Sequence, residues 1–339
     1  MSSSSRNETD KQQRRFWTRI SLLAVIVASA IAWMLMSLVG DGSSISSGSK
    51  TEGVSMEVRK SPTTNRWKDF DGVSRYIENA YRILETHPHD EASFTQGLYW
   101  ESSTQKLVES TGMYGASLVR RYAPSLPHTV ENEWKIPPQY FGEGLCWFND
   151  KDGNDRFVLL TWKEQTGMVL DVDTLQPVSE FRYNTHTTEG WGITFDPLEK
   201  VFHVTDGSEW VQVWNLDFEE IRKYEVTIRW DQDDGTGTDG RPVKHMNELE
   251  WDVSDQTFLA NLWYQNLIVR IQPETGKILR VYDFSDLYPQ DDRTSKSDSF
   301  NGIAIETMPN TGVASTSATR LWITGKYWPY LYHVELLES

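Results

Sequence analysis

An all-β fold, a five-bladed β-propeller preceded by a single N-terminal transmembrane helix, is predicted by three observations on this 339-residue chain. A run of 21 residues near the N-terminus carries no charge. Beyond about residue 80, short runs rich in Val, Ile, Tyr, Trp and Thr alternate with Gly, Asp, Asn and Pro. One short segment also recurs five times, at intervals of 47, 48, 56 and 54 residues.

The first 19 residues hold Arg6, Lys11, Arg14, Arg15 and Arg19 against Glu8 and Asp10. The uncharged run Ile20 to Gly40 follows; as a helix it would be about 31 Å long, enough to span the hydrocarbon core of a bilayer. A cleaved signal peptide competes with this reading, but its apolar region is usually shorter, about 7–15 residues, and ends at a small-x-small site. Here Ala28, Ser29 and Ala30 lie in the middle of the run, which favours an uncleaved anchor. Basic residues on the N-terminal side keep that end cytosolic, so the rest faces the lumen of the secretory pathway (Golgi or endoplasmic reticulum) or the cell exterior. The expected organisation is a cytosolic tail over 1–19, a signal anchor over 20–40, a Ser/Gly-rich stalk over 41–66 and the propeller over 67–339. "DFDGVSRYIENAY", Asp69 to Tyr81, reads as a short helix.

Net charge is −16 for the chain and −19 beyond the tail, whose five basic and two acidic residues are set aside. So acidic a surface excludes nucleic acid as a partner. Small neutral or cationic ligands, such as peptides with a free amine, suit it better, although a solvated acidic surface alone accounts for the charge. Cys146 is the only cysteine, so no internal disulfide and no Cys-x-x-Cys metal or redox site can form.

The five recurring segments are "FTQGLYW" at Phe94, "FGEGLCW" at Phe141, "EGWGITF" at Glu189, "HMNELEW" at His245 and "SFNGIAI" at Ser299. They align at Gly97, Gly144, Gly192, Glu248 and Gly302. Each is followed by further strand-like runs, as propeller blades require. Polar insertions at 231–244, 289–299 and 306–319 lengthen the later repeats and read as loops. "YRILETH", Tyr81 to His87, has no blade of its own and is expected to pair with "YLYHVEL" and close the ring.

In "FGEGL", Glu143 stands between two glycines, which means a tight turn or a carboxylate presented by close-packed backbone. The repeat favours presentation. The residue before the aligned position is Gln96, Glu143, Trp191, Asn247 and Asn301, and equivalent positions in a ring converge on its channel. A second matched set, Trp162, Asp206, Trp263 and Lys326, ends the second strands. Any one tryptophan is as readily blade packing, and Lys326 alone as readily a surface lysine. Together Trp162, Trp191 and Trp263 would wall a mouth holding one carboxylate, one lysine and several amides, a pocket for a ligand with an apolar stem and an amine-bearing head. Desolvation by the tryptophans would raise the pKa of Glu143 and suit it to shuttle protons.

No Gly-x-Ser-x-Gly, phosphate-binding glycine loop or zinc-hydrolase His spacing is present. Two other readings use the same ring. Glu143, Asn247, Asn301 and Asp206 could converge on a cation such as Ca²⁺ in a lactonase-like hydrolase. A non-catalytic propeller could bind peptides unchanged.

"HPHDEASFTQGLYW", "YFGEGLCW", "TWKEQTGMVLDVDTL", "EGWGITFD", "MNELEW", "ANLWYQNLIVRI", "FNGIAIE" and "TGKYWPYLYHVEL" together resemble the plant and bacterial type of glutaminyl-peptide cyclotransferase, over about residues 81–336. The resemblance implies a five-bladed propeller with its site at the channel mouth, unrelated to the zinc-dependent animal enzymes. It implies conversion of N-terminal glutamine of peptides or proteins to pyroglutamate with release of ammonia and no required cofactor, while leaving room for a structural Ca²⁺ or Zn²⁺. It places the catalytic glutamate on Glu143 and substrate-binding residues on Phe94, Gln96, Phe141, Trp162, Trp191, Asn247, Trp263 and Lys326. The chain departs from the family pattern in the acidic insertion before Lys244, the insertion near Ser315, and an anchor where a secretion signal is usual.

Overall fold

A computed structural model describes residues 76–77, 81–124, 129–228, 240–307 and 318–337. These belong to one compact unit, Ser61–Ser339. The expected tail, anchor and stalk lie outside the described residues, among which no helix is long and apolar enough to cross a membrane.

Five sheets, each with four antiparallel strands at its centre, follow one another along the chain, one per predicted blade. Their innermost strands are Thr95–Glu101, Gly142–Asn149, Ile193–Asp196, Met246–Asp252 and Phe300–Ile305, each at the start of its recurring segment or within it. The fifth blade takes its outermost strand from far upstream: Tyr81–Pro88 pairs with Tyr330–Leu336, as expected, and closes the ring. Blade four is widened at its edge by Thr227–Ile228 and Arg241–Pro242, so the end of the first polar insertion is strand and not loop. The helix expected over Asp69 to Tyr81 is corrected at Tyr76–Ile77, which pair in parallel with Val281 and Tyr282 of blade four. A sheet edge offers the backbone hydrogen-bond partners that a short, marginal helix would have to supply alone.

The core is five separate seams, one between each pair of neighbouring blades. Strand alternation feeds them: Leu145 packs toward blade one and Cys146 toward blade three, since successive side chains leave opposite faces. Strands buried on both faces therefore read as continuous apolar runs.

Polar contacts bind the same five seams near the mouth. Ser110 Oγ donates to Glu143 O at 2.6 Å, Gly144 N to Trp191 O at 2.8 Å, and Thr205 Oγ1 to Asn247 O at 2.9 Å. Asn301 Nδ2 donates to Thr95 O at 3.0 Å. The remaining seam, between blades four and five, is bonded by Asn261 Nδ2, which donates to Phe300 O at 2.8 Å, and by Glu248, the one non-glycine in the aligned set. Its carboxyl accepts Ile303 N of blade five at 2.7 Å and Leu98 N of blade one at 3.1 Å.

Burial pushes the carboxyls of Glu248 and Glu250 well above the ordinary 4.5. A raised acid contributes stability that is full below 4.5 and is lost as pH climbs through its folded value. For Glu109, burial also acts to raise the pKa, but Arg120 and His89 outweigh it and hold the carboxyl well below the ordinary range. Its contribution is lost only as pH falls below 4.5. Burial lowers His203 to about 3, so it opposes acidification below 6.5; Lys326 is lowered too and acts in the same sense, while Glu143 is raised like Glu248 and Glu250, so two groups stand against three. The propeller is therefore expected to melt at a higher temperature at pH 5.5 than at pH 8, by scanning fluorimetry. A higher melting temperature at pH 8 would show that the raised carboxyls do not dominate the pH dependence of folding.

Candidate active site

Register shifts place the site. The innermost strands of blades one, two, four and five each slip against their neighbour, between Thr95 and Gly97, Gly142 and Leu145, Met246 and Leu249, and Phe300 and Ile303. Gln96, Glu143, Asn247 and Asn301 lie inside these irregularities. A bulge frees a residue from the ladder and re-aims its side chain, so four blades present a polar group at one level of the channel. The glycines beside Glu143 serve close approach and not a left-handed turn. A Cβ on Gly142 would stand 2.6 Å from Thr111 O of blade one, and one on Gly144 would stand 2.5 Å from Trp191 O of blade three.

Around the mouth, contacts form a closed circuit. The Lys326 ammonium lies 4.7 Å from the Phe94 ring centre and 5.9 Å from that of Trp263. Phe94 meets Phe141 edge-on at 5.9 Å, and Phe141 meets Trp162 at 5.5 Å. Trp162 and Trp191 donate their indole N–H groups to the same oxygen of Glu189, and Trp191 meets Trp263 edge-on at 5.3 Å, returning to Lys326. Tyr264 stacks on the outer face of Trp263, with ring centres 3.9 Å apart. Tyr114, half exposed at the rim, packs on Phe141 and donates to Glu164.

Glu143 is 4% exposed. Burial raises its carboxyl well above 4.5; the positive charge of Lys326 opposes the rise, and Glu189 and Glu164 add to it. Among the described residues no hydrogen-bond donor contributes, so the group is carried by charge and desolvation alone. Lys326 is shifted down by burial, against the pull of Glu143 and Asp298. A buried acid and a buried amine thus act on one another through charge, and burial moves each toward the neutral form.

Contacts or charge interactions link seven of the nine expected site residues, Phe94, Phe141, Glu143, Trp162, Trp191, Trp263 and Lys326; Gln96 and Asn247 stand at the matching bulges of blades one and four, and the amides are not equivalent. Gln96 Oε1 accepts from Asn301 Nδ2 at 3.3 Å, which leaves the Gln96 amino end for a ligand. Asn247 Oδ1 is buried without a partner, an acceptor in waiting. Asn301 also donates to the backbone oxygens of Thr95 and Gln96, and so belongs to the frame. Asp206 is likewise held by its own blade, accepting from Thr187 N, Ser208 N and Ser208 Oγ. The Asp206 carboxyl is thus committed to its own blade, whereas Asn301 Oδ1, like Asn247 Oδ1, is buried without a partner; among the described residues no group of three or more His, Cys, Asp or Glu side chains is placed to hold a metal. Glu189, Glu164 and Tyr114 were not expected. Glu189 directly precedes "GWG", but nothing in that spacing says which way its side chain turns.

A family model described as glutamine cyclotransferase matches residues 54–336. A glutaminyl-peptide cyclotransferase of Arabidopsis thaliana is 30% identical over 280 residues, 81% of this chain and 78% of that protein. The crystal structure of Myxococcus xanthus glutaminyl cyclase covers 78% of this chain and 99% of its own at 24% identity, with a TM-score of 0.60, a likeness of fold.

Proposed function

The chain belongs to the glutamine cyclotransferase family, and we propose that it cyclises the N-terminal glutamine of peptides at this mouth, with Glu143 as the proton carrier. The observation that carries the assignment is a buried carboxyl, raised in pKa and under the charge of a buried lysine that itself belongs to a closed circuit of aromatic rings.

The substrate's glutamine side chain inserts among Trp162, Trp191 and Trp263, with Phe94 and Phe141 covering the opposite side. Its free α-amine attacks its own γ-carboxamide carbon, so a nitrogen–carbon bond forms and closes a five-membered lactam. The bond from that carbon to the side-chain nitrogen breaks, and ammonia leaves. An α-amine of pKa near about 8 is partly neutral at working pH, so no strong base is needed. What the site must supply is geometry and one relayed proton: Glu143 takes it from the attacking amine and gives it to the departing nitrogen. A carboxyl raised toward neutrality can do both. Lys326 and the Gln96 amide are the donors for the tetrahedral oxyanion, and Asn247 Oδ1 accepts from the substrate's N–H groups. Because the five seams are bonded beside these residues, the donors are fixed before substrate arrives, and near-attack positioning is worth several kcal/mol.

The reaction as assigned routes no step through a metal. We further propose that residues 20–40 anchor the enzyme as a single-pass type II membrane protein with the propeller lumenal or extracellular, supported by the uncharged run and its basic N-terminal flank. The test uses the detergent-solubilised full chain and a glutamine-initiated peptide. Ammonia release is expected with a matching loss of peptide mass, undiminished by EDTA. Folded protein that leaves the peptide unchanged would refute the reaction, and activity abolished by EDTA would refute metal independence.

A further inference from the structure

Glu189 holds the two halves of the aromatic wall together. Its Oε2 accepts Trp162 Nε1 at 2.9 Å and Trp191 Nε1 at 3.0 Å, although Trp162 ends the second strand of blade two and Trp191 enters blade three. The residue is itself held from both sides: Thr185 Oγ1 donates to its carbonyl, and Gly190 N donates to Trp162 O at 2.8 Å. Its other oxygen, Oε1, lies 3.6 Å from Lys163 Nζ, and that ammonium sits 3.6 Å from the ring centre of Trp162. Indoles at a pocket mouth can give their N–H groups to water. Two of them converging on one charged oxygen fixes the distance and angle between their planes.

We propose that Glu189 is a positioning residue for the cyclisation: by joining the indoles of Trp162 and Trp191 it sets the width of the slot that takes the substrate's glutamine side chain, and its negative charge is among those that act on the proton carrier Glu143. This rests on the assignment of the mouth as the cyclisation site. The charges that act on Glu143 are Lys326, which favours its ionised form, and Glu189 and Glu164, which oppose it; the rim hydroxyl of Tyr114 and the buried one of Tyr183 feel Glu143 in turn. Loss of the Glu189 charge therefore lowers the pKa of Glu143. The α-amine must be neutral to attack, so it limits the rate on the acid side equally in every variant, and a difference between variants on that side reports Glu143.

Two variants of the full chain separate spacing from charge. Glu189→Gln keeps an acceptor oxygen for the indoles and removes the charge; Glu189→Ala removes both. With a glutamine-initiated peptide, Glu189→Ala is expected to raise KM about tenfold or more, as expected for losing charge-assisted hydrogen bonds, with a smaller fall in kcat. Glu189→Gln is expected to keep KM within about threefold, since neutral hydrogen bonds replace charged ones, and to move the acid limb of kcat/KM to lower pH. An unchanged KM in Glu189→Ala overturns the positioning role. An acid limb that stays in place in Glu189→Gln overturns the electrostatic one, and this variant carries the test if Glu189→Ala does not fold. Wild-type turnover measured alongside keeps the two levels apart: an active wild type with unaltered variants counts against Glu189 alone, and an inactive one against the reaction.

Discussion

Glu143→Gln is expected to lower kcat by about 10²–10⁴-fold, the usual worth of a positioned proton carrier, while peptide binding changes little. The amide matches the carboxyl in shape and, because burial already moves Glu143 toward its neutral form, also resembles it in charge. The aromatic circuit that grips the glutamine side chain does not include Glu143, so the binding surface survives the change. What is lost is the exchange of a proton between the attacking and departing nitrogens. Single-turnover ammonia release gives the chemical step, and calorimetry with a glutamine-initiated peptide gives the affinity. Full turnover in a folded variant would falsify the assignment. Loss of binding in parallel with turnover would mean that Glu143 grips the substrate's ammonium and does not relay its proton.

The largest effect on stability is expected at Glu248. Glu248→Ala leaves the N–H groups of Leu98 and Ile303 buried and unpaired, at about 1–3 kcal/mol each, and opens a void where the carboxyl lay. A total of about 3–5 kcal/mol corresponds to roughly 6–20 °C in melting temperature for a domain of this size. Glu248→Gln should fall between, because its amide oxygen can accept one of the two N–H groups while its amino group meets the other donor to donor. Thermal unfolding of the three proteins should rank them in that order. A loss below about 1 kcal/mol for Glu248→Ala would show that the seam is not held there.

Most of the architecture was legible in the sequence because a propeller repeats its packing problem. Every blade needs an apolar innermost strand with a small residue where the neighbouring blade comes close, and "GLYW", "GLCW" and "GITF" state that five-fold requirement with few exceptions. The exception, Glu248, looked like a variant of the pattern, and its partners show why: they stand 150 and 55 residues away. The level of the site was legible for the same reason, since one repeat position supplied Gln96, Glu143, Trp191 and Asn247. The bulges were not, because a register slip belongs to two strands and neither reveals it alone. Asn247 and Asn301 share a residue type, a repeat position and a buried Oδ1 without a partner, yet the Asn301 amino group is spent tying blade five to blade one. Repeat position sets where a side chain begins; the neighbouring backbone decides whether it remains available. Glu189 lay beyond reach because its two partners sit on different blades.

The strand that shuts the ring also dictates when the molecule can be finished. Arg82 and Glu335 join by a hydrogen bond across 253 residues of chain. At about 5–20 residues per second, the ribosome takes roughly 12–50 s to make that interval. Through all of it, Tyr81–Pro88 waits as an unpaired edge, the kind of surface that recruits another chain if nothing shields it. Contacts this distant in sequence also make folding slow once synthesis ends. In a cell, the yield of this protein should depend on what occupies that edge in the meantime, and a short C-terminal truncation that removes Tyr330–Leu336 should leave it open for good.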